Sequence, residues 1–246
     1  MHQAWRLVDS GFVPPPESAA LDEAILEAHI EGRVPNTLHF YGRSVPTISV
    51  GYFQRVSESL DLEEVRRRGV AIVRRKSGGS SIYTDQGQLI FGIVLHEEDV
   101  PEDRMESFRV ICSALAAALS SLGVDARYRP MNDIEVAGRK VSGSAQLRRK
   151  GSVLQHGTVI VDADLSVMDA VLKSKGAVRP SDRVTSLTSL LGKKIPLASV
   201  KDAIAKNLGS AFGVSIVPST LTEWERARVV RLVEERYSRD EWNMRF

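Results

Sequence analysis

Two places in this chain hold positive charge where a sequence can keep it still. Lys140 follows a tight turn at Ala137 and Gly138 and opens a run of small residues, Ser142, Gly143, Ser144 and Ala145. Glycine at such a turn reaches backbone angles that other residues reach only with strain, so the turn is rigid. The small side chains beyond it let a ligand lie close against the backbone. A lysine so placed is a fixed cation facing a trough, suited to a phosphate or a carboxylate. The same residues also describe an ordinary hairpin tip with a solvated charge. The second place is Arg74, Arg75 and Lys76, which leave an apolar run at residues 70–73 and enter a loop of Ser77, Gly78, Gly79, Ser80 and Ser81. Loop amides of this kind form anion-binding nests, and arginines add bidentate bonds. No Gly-Lys-Ser/Thr follows at the required spacing, so this is not a Walker loop.

The basic run with its double glycine, then Asn132 and Asp133, the Gly138 to Gln146 turn and strand, and finally His156, Gly157 and Thr158 occur in one order. In that order they resemble the lipoate–protein ligase A family, from about residue 35 to 162 and more loosely beyond. The resemblance implies an α/β domain of the α+β type, with a mostly antiparallel mixed sheet covered by helices. This is the architecture of biotinyl/lipoyl ligases and class II aminoacyl-tRNA synthetases. It also implies an ATP-dependent lipoate–protein ligase. Lipoic or octanoic acid would become an acyl-adenylate and then pass to a lysine of a lipoyl domain, such as glycine cleavage H protein or a 2-oxoacid dehydrogenase E2. A carboxylate is unreactive toward an amine until it gains such a leaving group. Bringing two anions together needs cations and backbone donors arranged in advance.

By resemblance, Lys140 is the catalytic cation and bridges acyl carboxylate and α-phosphate. Arg75, Ser80, Ser81, Ile82, Tyr83, Asn132 and Asp133 line the ATP side. Gly78, Gly79, Ser142, Gly143 and His156 line the lipoate trough, and Asp133 is the expected magnesium ligand. Two positions depart from the family pattern: Ser80 replaces a third glycine, and Thr84 with Asp85 replaces a His-Asp pair. The alternative within the fold is an octanoyl or lipoyl acyltransferase between carrier proteins, which uses a cysteine thioester near the turn lysine. Residues 129–133 contain no cysteine, and the only thiol, Cys112, falls in an Ala/Leu-rich helix, where it reads as a small buried apolar group that activity does not need. A non-catalytic acyl-binding subunit is the third reading.

The elements that must position these residues follow from pattern. Strands are expected at residues 5–8, 38–40, 47–50, 70–74, 88–95, 152–162 and 214–217. Helices are expected over 18–31 (capped by Ser18 after a break at Pro14 to Pro16), 60–68, 104–122, 186–191, 197–212 and 220–237. His29 is expected in the core, Tyr52 and Phe53 at the acyl trough or in the core, and Glu225, Arg226, Arg228 and Arg231 on an exposed face. The 246 residues, 43% hydrophobic and 26% charged, suit one catalytic domain over 1–246. No C-terminal accessory domain is expected; either the protein works alone or a separate small subunit supplies that role. A net charge of +2 is too small for a general nucleic-acid or membrane binder. The first residues, Met1, His2 and Gln3 included, lack a signal-peptide core, and the single cysteine allows no intrachain disulfide; both fit a cytoplasmic protein.

Overall fold

The computed structural model describes residues 4–174 and 176–246; Met1, His2, Gln3 and Lys175 lie outside the described residues. Among the described residues, eleven strands form two sheets: β1 (Trp5–Val13), β2 (Thr37–Arg43), β3 (Thr47–Val50), β4 (Ala71–Arg74), β5 (Ile82–Thr84), β6 (Gln88–His96), β7 (Arg127–Arg129), β8 (Asp133–Val136), β9 (Arg139–Arg149), β10 (Ser152–Ile160) and β11 (Ile216–Ser219). The large sheet runs β11-β1-β2-β6-β10-β9-β8-β7 and is antiparallel except where β1 pairs with β2 and β11. The small sheet, β4-β3-β5, presents the Ser/Gly loop between β4 and β5.

Helices α1 (Pro15–Ile30), α2 (Val56–Ser59), α3 (Leu62–Arg67), α4 (Arg104–Ser120), α5 (Leu165–Val171), α6 (Leu187–Leu191), α7 (Leu197–Phe212), α8 (Glu223–Leu232) and α9 (Asp240–Asn243) cover these sheets. Strand side chains alternate faces, and both faces of the large sheet are buried. Leu89, Phe91, Ile93 and Leu95 of β6 pack with α4 and α7. Ile90 packs with α1 and α8, and Val94 with Ile25, Leu26 and Leu154.

The mostly antiparallel mixed sheet matches expectation, and three local readings are corrected. The proline run does not break the chain before α1 but starts it: Pro14 is the cap and Pro15 the first helical residue, where a missing N–H costs nothing. Ser18 lies inside the first turn and donates to the Pro15 carbonyl instead of capping. The helix expected over 60–68 starts two residues later, at Leu62, because Asp61 accepts from the amides of Glu63 and Glu64 and so caps α3. The Thr222–Glu225 capping box opens α8 as its sequence suggests, but Glu225 is fully buried against Arg6 instead of exposed. His29 is buried, as expected, between Ser152 and Asn36. No helix among the described residues is long and apolar enough to cross a membrane.

Candidate active site

The turn between β8 and β9 places Ala137 and Gly138 at φ 49° and 76°, the left-handed pair of a tight hairpin. Beyond it the β8–β9 register slips: Ile134 opposes Ser142, but Glu135 opposes Lys140. The resulting bulge re-aims one side chain. By strict alternation Lys140 would share a face with Ser142 and Ser144. Instead its ammonium lies over Gly143, so close that a Cβ there would sit 2.2 Å from Nζ. Asp133 Oδ1 holds that ammonium at 2.7 Å, and Asp133 Oδ2 accepts from Arg129 at 2.6 Å.

The basic run is used differently from expectation. Arg74 is fully buried and donates to the carbonyls of Gly51, Tyr52 and Gln54 on one side and of Trp242, Asn243 and Arg245 on the other. Asn243 accepts from the Arg74 amide at 3.0 Å, and the Trp242 indole donates to the Arg74 carbonyl at 2.9 Å. Arg75 was expected to grip an anion. Its guanidinium donates instead to the carbonyls of Ser49, Gly78 and Ser80, each at 2.8 Å, and to Ser77 Oγ at 3.1 Å. It is the clamp that folds the loop, because a buried guanidinium must find acceptors for its fork of donors. Burial and the neighbouring Arg43 pull it down to about 10, so it stays charged at neutral pH. Lys76 lies 3.5 Å from Glu23 and over the Trp242 ring. Among the described residues, the amides of Gly78, Gly79 and Ser80 donate to no protein acceptor, leaving a nest of N–H groups.

His156 joins this loop to α1. Its Nδ1 lies 2.6 Å from Asp22 Oδ2 and its Nε2 2.5 Å from Ser77 Oγ. Asp22 also accepts from the Tyr41 hydroxyl at 2.9 Å. Burial alone would raise the Asp22 carboxyl, but His156 and His39 outweigh it and hold the group well below the usual carboxylate range. Sequence reasoning found His156 and missed Asp22, Tyr41 and Arg43, since nothing in an Ala/Leu-rich helix or a core strand marks a buried carboxylate or guanidinium as part of a cleft.

These residues line one cleft of 1420 Å³. It gathers Arg75, Gly79, Ser80, Ser81, Ile82, Tyr83, Asn132, Asp133, Lys140, Gly143 and His156, with apolar walls from Leu26, Ile90, Leu147 and Leu154. Gly78 and Ser142 are not in the lining. Ser142 is 2% exposed and shares the face of Ser144, which meets Cys112 of α4; strand alternation turns it from the trough. Tyr52 lines the cleft, whereas Phe53 is 76% exposed. Asp133 does not fit the expected magnesium ligand, since both its oxygens face cations, and no group of three His, Cys, Asp or Glu side chains gathers among the described residues. Cys112 is buried on the opposite face of the sheet, 3.4 Å from Gln155 Nε2 and 3.7 Å from Ser144 Oγ. Burial pushes its thiol up.

A mixed sheet wrapped by helices, with a lysine fixed over a glycine floor, defines a catalytic domain of the biotin/lipoate ligase architecture. The chain belongs to the family described as Lipoyl protein ligase A/B catalytic domain, which matches residues 14–209. It is 37% identical over 275 aligned residues to octanoyltransferase LipM of Symbiobacterium thermophilum, covering 100% of both chains. A bi-partite lipoate protein ligase of Thermoplasma acidophilum, studied with its E2 lipoyl domain, is 29% identical with a TM-score of 0.88, over 99% of this chain and 97% of that one. A lipoate-protein ligase A bound with ATP is 30% identical with a TM-score of 0.87, over 99% of each chain. The family and fold implied by resemblance therefore stand. The ATP-dependent ligase reading does not: the end-to-end match at higher identity is to an octanoyltransferase.

Proposed function

We propose that this chain is an acyltransferase that moves an octanoyl or lipoyl group from a carrier-protein thioester to a lysine of a lipoyl domain. One observation carries the reading, the full-length likeness to an octanoyltransferase. The cleft agrees with it. Leu26, Ile90, Leu147 and Leu154 offer an apolar slot for a medium acyl chain, and Lys140 stands at its mouth over Gly143. A thioester carbonyl laid beside that ammonium would direct its oxygen at Lys140 Nζ. The cation stabilises the charge that builds on oxygen when the acceptor amine attacks, more than it stabilises the ground state. The net reaction joins N to the carbonyl carbon, breaks C–S and releases a thiol. It needs no leaving group made from a nucleotide. The Asp133 carboxylate keeps the ammonium aimed. The acceptor class is a lipoyl domain such as glycine cleavage H protein or a 2-oxoacid dehydrogenase E2; a structural relative is described with its E2 lipoyl domain.

The test is incubation with an octanoyl carrier-protein thioester and an acceptor lipoyl domain, with and without ATP, read by intact mass. Octanoylated acceptor forms without ATP. Modification that appears only with free acid and ATP refutes the reading.

A further inference from the structure

The acyltransferases expected within this fold hold their acyl group on a cysteine, yet Cys112 is buried on the wrong face of the sheet, away from the cleft. Inside the cleft stands a different set of groups. Asp22, His156 and Ser77 all line it, and they are joined in series at 2.6 Å and 2.5 Å. The partners suit one tautomer of the ring. A carboxylate only accepts, so His156 Nδ1 carries the proton to Asp22. Ser77 Oγ accepts from Arg75 Nε at 3.1 Å, and in the Nδ1-protonated tautomer of His156 the Ser77 hydrogen is free to donate to Nε2. That is the working charge state of a serine activated by a histidine, with a carboxylate holding the ring. The three come from separate elements: α1, the β4–β5 loop and β10. Next to Ser77 in the chain, the Gly78 and Gly79 amides are unpartnered among the described residues, as donors to a developing oxyanion must be. Lys140 is on the same face: Ala145 opposes His156, and Gly143, under the ammonium, is two residues along, on the order of 7 Å.

We propose that Ser77 is the nucleophile and carries the acyl group as an oxyester, an inference that rests on the acyl-transfer reading above. Ser77 Oγ attacks the thioester carbonyl while its proton passes to His156 Nε2. The C–S bond breaks, and the thiolate leaves with that proton. The acceptor's neutral lysine amine then attacks the ester, forming C–N. The C–O bond breaks, and the amine's proton returns through His156 to Ser77 Oγ. Asp22 is a positioning residue that keeps the imidazole in the one tautomer that can do this.

The enzyme is mixed with an octanoyl carrier-protein thioester without acceptor, quenched in acid and mapped by peptide mass. One octanoyl group is expected on the Ser77 peptide, stable to neutral hydroxylamine and discharged by acceptor lipoyl domain. Ser77→Cys should carry the same label as a thioester that neutral hydroxylamine removes. Ser77→Ala should lose the label and slow transfer by at least about a hundredfold with an unchanged melting curve. If Ser77→Ala does not fold, the switch in hydroxylamine sensitivity between wild type and Ser77→Cys decides. Wild-type transfer with no label at Ser77, a label on Cys112 or Lys140, or a folded Ser77→Ala of near wild-type rate overturns the proposal and leaves acyl transfer standing. No transfer from the thioester by wild type overturns both.

Discussion

Gly143→Ala separates the position of the Lys140 charge from its presence. The new Cβ would sit 2.2 Å from Lys140 Nζ, 2.3 Å from Cε and 3.1 Å from Asp133 Oδ1. Carbon contacts settle near 3.5 Å, so the ammonium must retreat by about 1.3 Å or more. The side chain is flexible and one-third exposed, so it can move, and the backbone at Gly143 is not left-handed. The Lys140–Asp133 pair that is disturbed is worth about 0–1 kcal/mol, and alanine recovers a similar amount through the unfolded chain. Stability should therefore change by less than about 1 kcal/mol. A misplacement of about 1 Å can cost on the order of 10² in rate. Lys140→Ala, which removes the cation, should cost on the order of 10²–10³. Since both changes act through one ammonium, the double variant should be no slower than Lys140→Ala. Arg139→Ala, exposed at the start of β9, is the mild control. Gly157→Ala is the contrasting one: its Cβ would meet the Gly143 carbonyl at 2.5 Å and Phe91 Cζ at 2.7 Å, neither of which can swing away, so it should destabilise by about 1–3 kcal/mol. The assay is initial acyl transfer to a lipoyl domain beside urea unfolding of each variant. A Gly143→Ala rate within about threefold of wild type, or additive losses in the double variant, would refute the reasoning.

Three further outcomes follow. Arg74→Met should lower stability by about 3 kcal/mol or more in urea unfolding, because six buried or part-buried carbonyls lose their donor; an unchanged midpoint would contradict that role. The Asp22 carboxyl is held below its unfolded value, near 3.9, so its contribution is complete above about pH 4 and is lost as pH falls toward the folded value. Asp22→Asn should lower stability at neutral pH and flatten that acid limb, and parallel acid limbs in the two proteins would argue against it. Cys112→Ala should keep transfer near wild-type rate with a stability loss of about 1 kcal/mol, whereas a folded but inactive variant would return the thiol to the mechanism.

Elements set by local pattern were legible in the sequence. Helix α7 has its expected ends because an amphipathic run closes on Gly213 in the left-handed conformation. The Ala137–Gly138 turn and the cleft residues that follow it could be read for the same reason. What could not be read depends on partners far along the chain. Arg75 looked like a free anion grip because the sequence does not show that the loop's own carbonyls fold back onto it. Glu225 looked exposed until Arg6, 219 residues away, took both its oxygens. The β9 bulge has no local signal either, so the face of Lys140 followed from its motif and that of Ser142 did not. The distinction between ligase and transferase lay deeper still, since relatives of both kinds resemble this chain along nearly its whole length.

The buried Arg74 ties the start of the Ser/Gly loop to backbone made much later. Three of its carbonyl partners belong to residues synthesised 168 to 171 positions after it. A nascent chain that has emerged from the ribosome through β10 already contains Lys140, His156 and the loop, yet the strand feeding that loop still lacks its clasp. The cleft reaches its final form only when residues 242–245 dock. Premature release of the chain before that point would leave a buried guanidinium with half its acceptors missing, and so a product prone to proteolysis instead of a half-active enzyme.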